Sequence, residues 1–144
     1  MKKLATVKAN MKKKSIVIPF PRPEPAVDIQ YTFGYSSPTA MHLVGSFPLK
    51  TVSKTRHGWT VDVAVEMPEE LFQEKDHMNN RYFYKRAYYL SVLAAAIQDK
   101  KSGMSNCAIE YSTFNGDQRK PILILHPSGG MVSMVAIAKV SRKC

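Results

Sequence analysis

Residues 60–66 read Thr-Val-Asp-Val-Ala-Val-Glu, an alternation that puts Val61, Val63 and Val65 on one side and Asp62, Ala64 and Glu66 on the other. A repeat of two is the pleat of a strand, so the segment predicts a strand with one apolar face. Further on, Phe83, Ala87, Leu90, Ala94 and Ile97 recur at spacings of four and three, the apolar stripe of an amphipathic helix. Such a stripe needs a sheet to cover, which points to an α/β domain with a mixed sheet and a long helical segment.

The remaining elements fit that order. Met41–Val44 is a short strand candidate ending at the Gly45-Ser46 turn, and Val27–Tyr35 is β-prone. Pro68 suits a first helical position, with Glu69 and Glu70 at the favourable amino end. Met78–Lys100 carries the long helical pattern, with Asn79 and Asn80 as a point of interruption and Ser102-Gly103 as its stop. Cys107–Phe114, Pro121–Leu125 and Met131–Val140 read as strands, the first two joined at Asn115-Gly116-Asp117. One helix covers one face only, so an incomplete or truncated domain is expected, its other face left for a missing segment or neighbour.

At 144 residues with 44% hydrophobic side chains, the chain has the size and core material of a single folded domain. No run is long and apolar enough to cross a bilayer and no secretory signal pattern opens the chain, so no membrane partner is expected. Two cysteines and four scattered histidines supply neither a disulfide scaffold nor a zinc set; no metal and no cofactor are expected. The charge is more informative: 21 basic against 11 acidic side chains give +10. Six of those lysines lie in residues 1–14 without a single acid, which reads as a basic flexible tail able to contact phosphates or simply to solubilise. Residues 15–26 hold Pro19, Pro21, Pro23 and Pro25 and form a proline-rich linker or surface wrap. The folded domain is expected over 27–140, with 141–144 as a carboxyl tail.

Two regions carry chemistry. A glycine-serine turn after one strand, facing alternating carboxylates on the next, can cradle a phosphate and hold divalent metals. Gly45, Ser46 and Asp62 supply part of that arrangement, but the next position on the Asp62 face is Ala64, which has no oxygen. Glu66 lies a further step along the pleat, about 7 Å beyond Ala64, and is not an equivalent ligand. Residual catalysis would need Asp62 to converge on a carboxylate such as Glu66 or Glu110. The plainer alternatives are a tight turn at Gly45-Ser46 and an Asp62 that hydrogen-bonds a loop.

The second region is the helix surface formed by Arg81, Lys85, Arg86 and Tyr88, with Tyr82, Tyr84 and Tyr89 among them. It offers RNA contact on one reading, and a protein interface or partly buried tyrosine face on the other. Lys12, Lys13 and Lys14 in the tail, and Lys54, Arg56, Arg119 and Lys120 in loops, are further candidates for RNA or protein contact. Cys107 reads as a core thiol.

The stretches Val44–Thr51, Val61–Pro68, Leu71–Ala87 and Asn115–Leu125 together resemble the Nrap family of nucleolar RNA-associated proteins, over about residues 27–127 and not the first 14. The resemblance implies a partial or truncated nucleotidyltransferase-like domain from the amino-terminal region of much longer members. It places Gly45-Ser46 at the family's glycine-serine turn, Asp62 at the first carboxylate position, and Ala64 where a second carboxylate stands in active nucleotidyltransferases. The strand Ile122–Leu125 also lacks a carboxylate, so the implied role is non-enzymatic. It is that of a component of the small-subunit processome in the nucleolus and nucleus, contacting pre-ribosomal RNA and processome proteins. A residual metal-dependent nucleotidyltransferase and a nonfunctional truncated product are the alternatives; oligomeric state is left open.

Overall fold

The computed structural model describes residues 1–51, 59–104 and 106–128 in full and 132–140 as backbone. A five-stranded mixed sheet is built from β1 (Ala40–Val44), β2 (Trp59–Met67), β3 (Ala108–Phe114), β4 (Asp117–His126) and β5 (Val132–Val140), in the order β1-β2-β5-β4-β3. β2 and β5 run parallel and every other pair is antiparallel. A parallel pair requires a long crossover, and here it contains α2 (Arg81–Gln98) and the β3–β4 hairpin.

α2 packs on one sheet face. Val65 and Met67 of β2, Leu123 and Leu125 of β4, and Tyr89, Leu90 and Ala94 of α2 form one buried cluster, with Leu93 and Ile97 against it. The alternation in β2 therefore does what its period predicts: its valine side meets the helix. Asn79 and Asn80 both have left-handed backbone (φ 52° and 59°), which sets the helix start at Arg81. The segment around Pro68 makes only a three-residue 3-10 turn, Glu69–Leu71, before a second, Glu74–His77.

The opposite side of α2 is covered too, and here the expectation of a flexible tail is corrected. Residues Leu4–Lys13 form a helix, α1, whose Leu4, Val7 and Met11 are buried against Phe33, Tyr84 and Tyr88. Their spacing of three and four is a helical stripe, and burying each such side chain contributes about 1.5–3 kcal/mol, enough to order a lysine-rich segment whose charges all point outward. The proline-rich stretch wraps over the same side: Pro23 O accepts from the Tyr84 hydroxyl at 2.6 Å and Val17 O from Ser91 Oγ at 3.4 Å. Val27–Tyr35 is likewise not a strand. Among the described residues its ladder contact is one antiparallel bridge, between Phe33 and Lys2. α2 thus lies between the sheet and a second layer of α1 and the proline wrap. No helix among the described residues is long and apolar enough to cross a membrane.

Candidate functional site

β1 ends at Val44, which pairs with Asp62 on β2. The next residue, Gly45, takes φ +77°, and a Cβ built there would stand 2.7 Å from Asp62 Oδ2. The chain can turn across the carboxylate only because this position is glycine. The turn then closes on itself, with the Thr51 amide donating to Ser46 O at 3.1 Å and the Lys50 amide to Phe47 O at 3.1 Å. The structure therefore brings Gly45, Ser46 and Asp62 to one place, at the free end of β1.

The other oxygens needed for metal chemistry are elsewhere. Ala64 shares the Asp62 face and is buried without an oxygen ligand. Glu66 is engaged one pleat further along, 3.7 Å from His42 Nε2 and 3.5 Å from Thr39 Oγ1. Glu110 lies in the same cross-sheet row as Asp62, through Ile124 and Val135. Three strand spacings of about 4.8 Å put its backbone about 14 Å from that of Asp62, too far for a shared ion. Its carboxylate meets His126 Nε2 at 3.3 Å. The strand beside β2 is β5 rather than the Ile122–Leu125 segment looked to for a third carboxylate, and Val132–Val140 contains no Asp or Glu either. Among the described residues, no group of three or more His, Cys, Asp or Glu could hold a metal ion. What remains is a single half-buried carboxylate under a tight turn, able to accept hydrogen bonds and unable to clamp two metals.

The helix-surface candidates are placed differently from expectation. Lys85, Arg86 and Tyr88 are all buried, because α2 is packed on both sides from Tyr84 to Leu90. Lys85 Nζ makes a short ion pair with Asp76 Oδ2 and donates to Leu71 O at 3.0 Å. It ties the 3-10 turns to the helix and offers nothing to a phosphate. Burial pushes the Arg86 guanidinium below its ordinary pKa, with Tyr82 and Asp117 acting against that shift. Tyr88 stands edge-on to Phe33 at 5.4 Å, so the partly buried tyrosine face describes this surface. Arg81, partly exposed, lies over the Tyr31 ring at 5.2 Å.

Lys12, Lys13 and Lys14 are exposed at the end of α1. Arg119 and Lys120 are exposed on β4 beside Asp117, at 3.2 and 3.6 Å, and the Arg119 guanidinium lies 5.8 Å from the Phe83 ring centre. Backbone and side-chain hydrogen bonds from Arg119 lower the Asp117 pKa. Lys54 and Arg56 lie outside the described residues. Sequence reading missed Asp76, whose partner Lys85 is nine positions away on another element, and Phe72, which stacks on Tyr82 at 5.5 Å.

The family model described as Nrap protein domain 1 matches residues 1–141. The chain belongs to the Nrap family. The match takes in residues 1–14, which the resemblance read from sequence left out; α1 is part of the Nrap domain. The chain is 35% identical over 123 residues to nucleolar protein 6 of Xenopus laevis, covering 85% of this chain and 10% of that protein. To U3 small nucleolar RNA-associated protein 22 of Saccharomyces cerevisiae it is 36% identical over 139 residues, 92% of this chain and 11% of the relative. To human nucleolar protein 6 it is 39% identical over 105 residues, 73% and 9% respectively. The chain thus spans about a tenth of the length of these relatives.

Proposed function

We propose that this Nrap domain is a nucleotidyltransferase-like module that has kept the architecture of a phosphoryl-transfer site and lost its chemistry, and that it serves small-subunit ribosomal RNA processing by contacting RNA and protein. The observation that carries this reading is the packing of Gly45 on Asp62 beside a buried Ala64. The turn and first carboxylate are assembled, while the neighbouring positions on β2 and β5 offer no second or third ligand. A two-metal mechanism needs paired ligands around both ions, so the site supports the fold and not catalysis.

The relatives' names supply the setting: one is a nucleolar protein and another is associated with the U3 small nucleolar RNA. For this chain, location in the nucleolus and nucleus and contact with pre-ribosomal RNA and processome proteins are part of the proposal. Lys12, Lys13, Lys14, Arg119 and Lys120 are the exposed cations for phosphate contact, and Lys8 joins them on α1 despite its 3.2 Å pair with Glu24. Crosslinking the intact chain in cells and identifying RNA and proteins from one preparation tests the proposal. Enrichment of pre-ribosomal RNA together with small-subunit processing proteins is expected; recovery of neither contradicts it.

A further inference from the structure

α1 is closed by Ser15, whose left-handed backbone (φ 55°) lets the Ile16 amide reach back to Met11 O at 3.0 Å. The chain then returns beside the helix, and between the two lies an open groove of about 380 Å³. Met11, Ile16, Val17, Ile18 and Phe20 are its apolar lining, and Lys8, Lys12 and Glu24 its charged one. Met11 and Ile16 are buried, but Val17 is 72% exposed, an aliphatic side chain held out in water. Its position is fixed from behind, since Val17 O accepts from Ser91 Oγ at 3.4 Å and so ties this wall to α2. Glu24 is answered by Lys8 at 3.2 Å, whereas Lys12 has no acidic partner among the described residues. Residues 1–14 contain no acid, so the helical side of the groove carries one sign of charge.

We propose that this groove docks an acidic peptide of a protein partner, with one bulky apolar side chain covering Val17 and Ile18 and a neighbouring carboxylate pairing with Lys12. The proposal rests on the protein contact proposed above and gives it a place. Covering the exposed aliphatic wall supplies affinity, and the unanswered lysine beside it selects a partner of negative charge. RNA fits less well. Phe20 is the aromatic residue of this lining, and its ring is already met by Lys8 at 5.7 Å, by Tyr84 edge-on at 5.9 Å and by Phe33 at 6.1 Å. A base stacks on an open ring face, and a phosphate gains nothing from Val17 or Ile18. Lys13 and Lys14 do not line the groove and stay available to phosphates.

The test is selection of a random peptide display library on the full chain, with the selected peptides and oligouridylate then titrated against it by fluorescence anisotropy and nuclear magnetic resonance. Selected sequences are expected to carry Asp or Glu beside a Leu, Ile, Phe or Trp and to shift the methyl signals of Val17 and Ile18. Val17→Ser changes an exposed side chain, so the fold stands while binding weakens about tenfold. Lys12→Glu, also exposed, weakens it independently by about threefold or more. Selected peptides without acidic enrichment, binding that Val17→Ser leaves unchanged, or oligouridylate occupying the groove with an equal loss in Val17→Ser overturn the proposal. Absence of acidic peptides from the selection, with pre-ribosomal RNA and small-subunit processing proteins recovered from cells undiminished by Val17→Ser, overturns the groove and leaves the wider reading standing.

Discussion

Gly45 is packed against Asp62 so closely that an alanine methyl at that position would sit 2.7 Å from Oδ2. Two separate costs follow. Left-handed backbone penalises a Cβ by about 1–2 kcal/mol, and the contact with the carboxylate adds to it. Gly45→Ala is therefore expected to lower unfolding free energy by more than the backbone cost alone, while in an Asp62→Ala background only that backbone cost remains. Urea unfolding of the four proteins of the cycle measures the coupling, expected at about 0.5–3 kcal/mol. Strict additivity would show that the turn does not rest on Asp62.

The Lys85–Asp76 pair makes a second prediction. Both side chains are buried, at 4% and 3% exposure, so removing one partner strands a charge in the interior. Lys85→Met is expected to cost about 3–5 kcal/mol. Combining it with Asp76→Leu recovers part of that loss, leaving chiefly the Gln73 amide without its acceptor. Chemical denaturation reads both; a neutral Lys85→Met would mean that the lysine is solvated.

Separating the roles of α1 comes third. Leu4 is buried and Lys12, Lys13 and Lys14 are exposed on the same short segment. Leu4→Ala is expected to cost about 2–5 kcal/mol. Changing the three lysines to glutamine leaves stability within about 0.5 kcal/mol and reduces the salt dependence of RNA binding by about two counterions. Deleting residues 1–14 would confound these effects, since it also strips the cover from Tyr84 and Tyr88. Unchanged stability on Leu4→Ala would contradict the docking of α1.

Tyrosine ionisation supplies a pH dependence. Burial raises the pKa values of Tyr31, Tyr88, Tyr89 and Tyr111 above the ordinary 10.0, that of Tyr31 to about 12. A folded-state pKa above the unfolded value means that the stabilisation is complete below pH 10.0 and is lost as pH rises towards about 12. Alkaline unfolding is expected to coincide with the appearance of tyrosinate absorbance in that window. Tyrosines titrating freely near pH 10.0 while the fold persists would contradict their burial.

What was legible in the sequence was periodic. The alternation in β2 and the helical stripe are local repeats, and β2 together with Leu90, Ala94 and Ile97 of the stripe found the partner that the period implied. The α1 stripe was equally periodic, but Leu4, Val7 and Met11 are outnumbered by lysines, and composition masked the pattern. Strand order was hidden for another reason: β5 inserts between β2 and β4, a pairing between segments far apart in the chain. Hence the strand of Ile122–Leu125, looked to for a third carboxylate, stands one strand away from Asp62. Lys85 and Arg86 looked like surface charges because long cationic side chains are rarely buried; their burial depends on Asp76 and on a second layer over α2. The Gly45–Asp62 contact was within reach of sequence reading only through the glycine-serine turn and the phase of the strand that faces it.

The most direct measurement compares the intact chain with its Asp62→Asn variant, each crosslinked in cells and assayed for the pre-ribosomal RNA and small-subunit processing proteins recovered with it. The account predicts equal recovery from both, since Asp62 shapes a turn and holds no catalytic metal. Loss of pre-ribosomal RNA from the Asp62→Asn variant, with that variant folded and still bound to its protein partners, would contradict it.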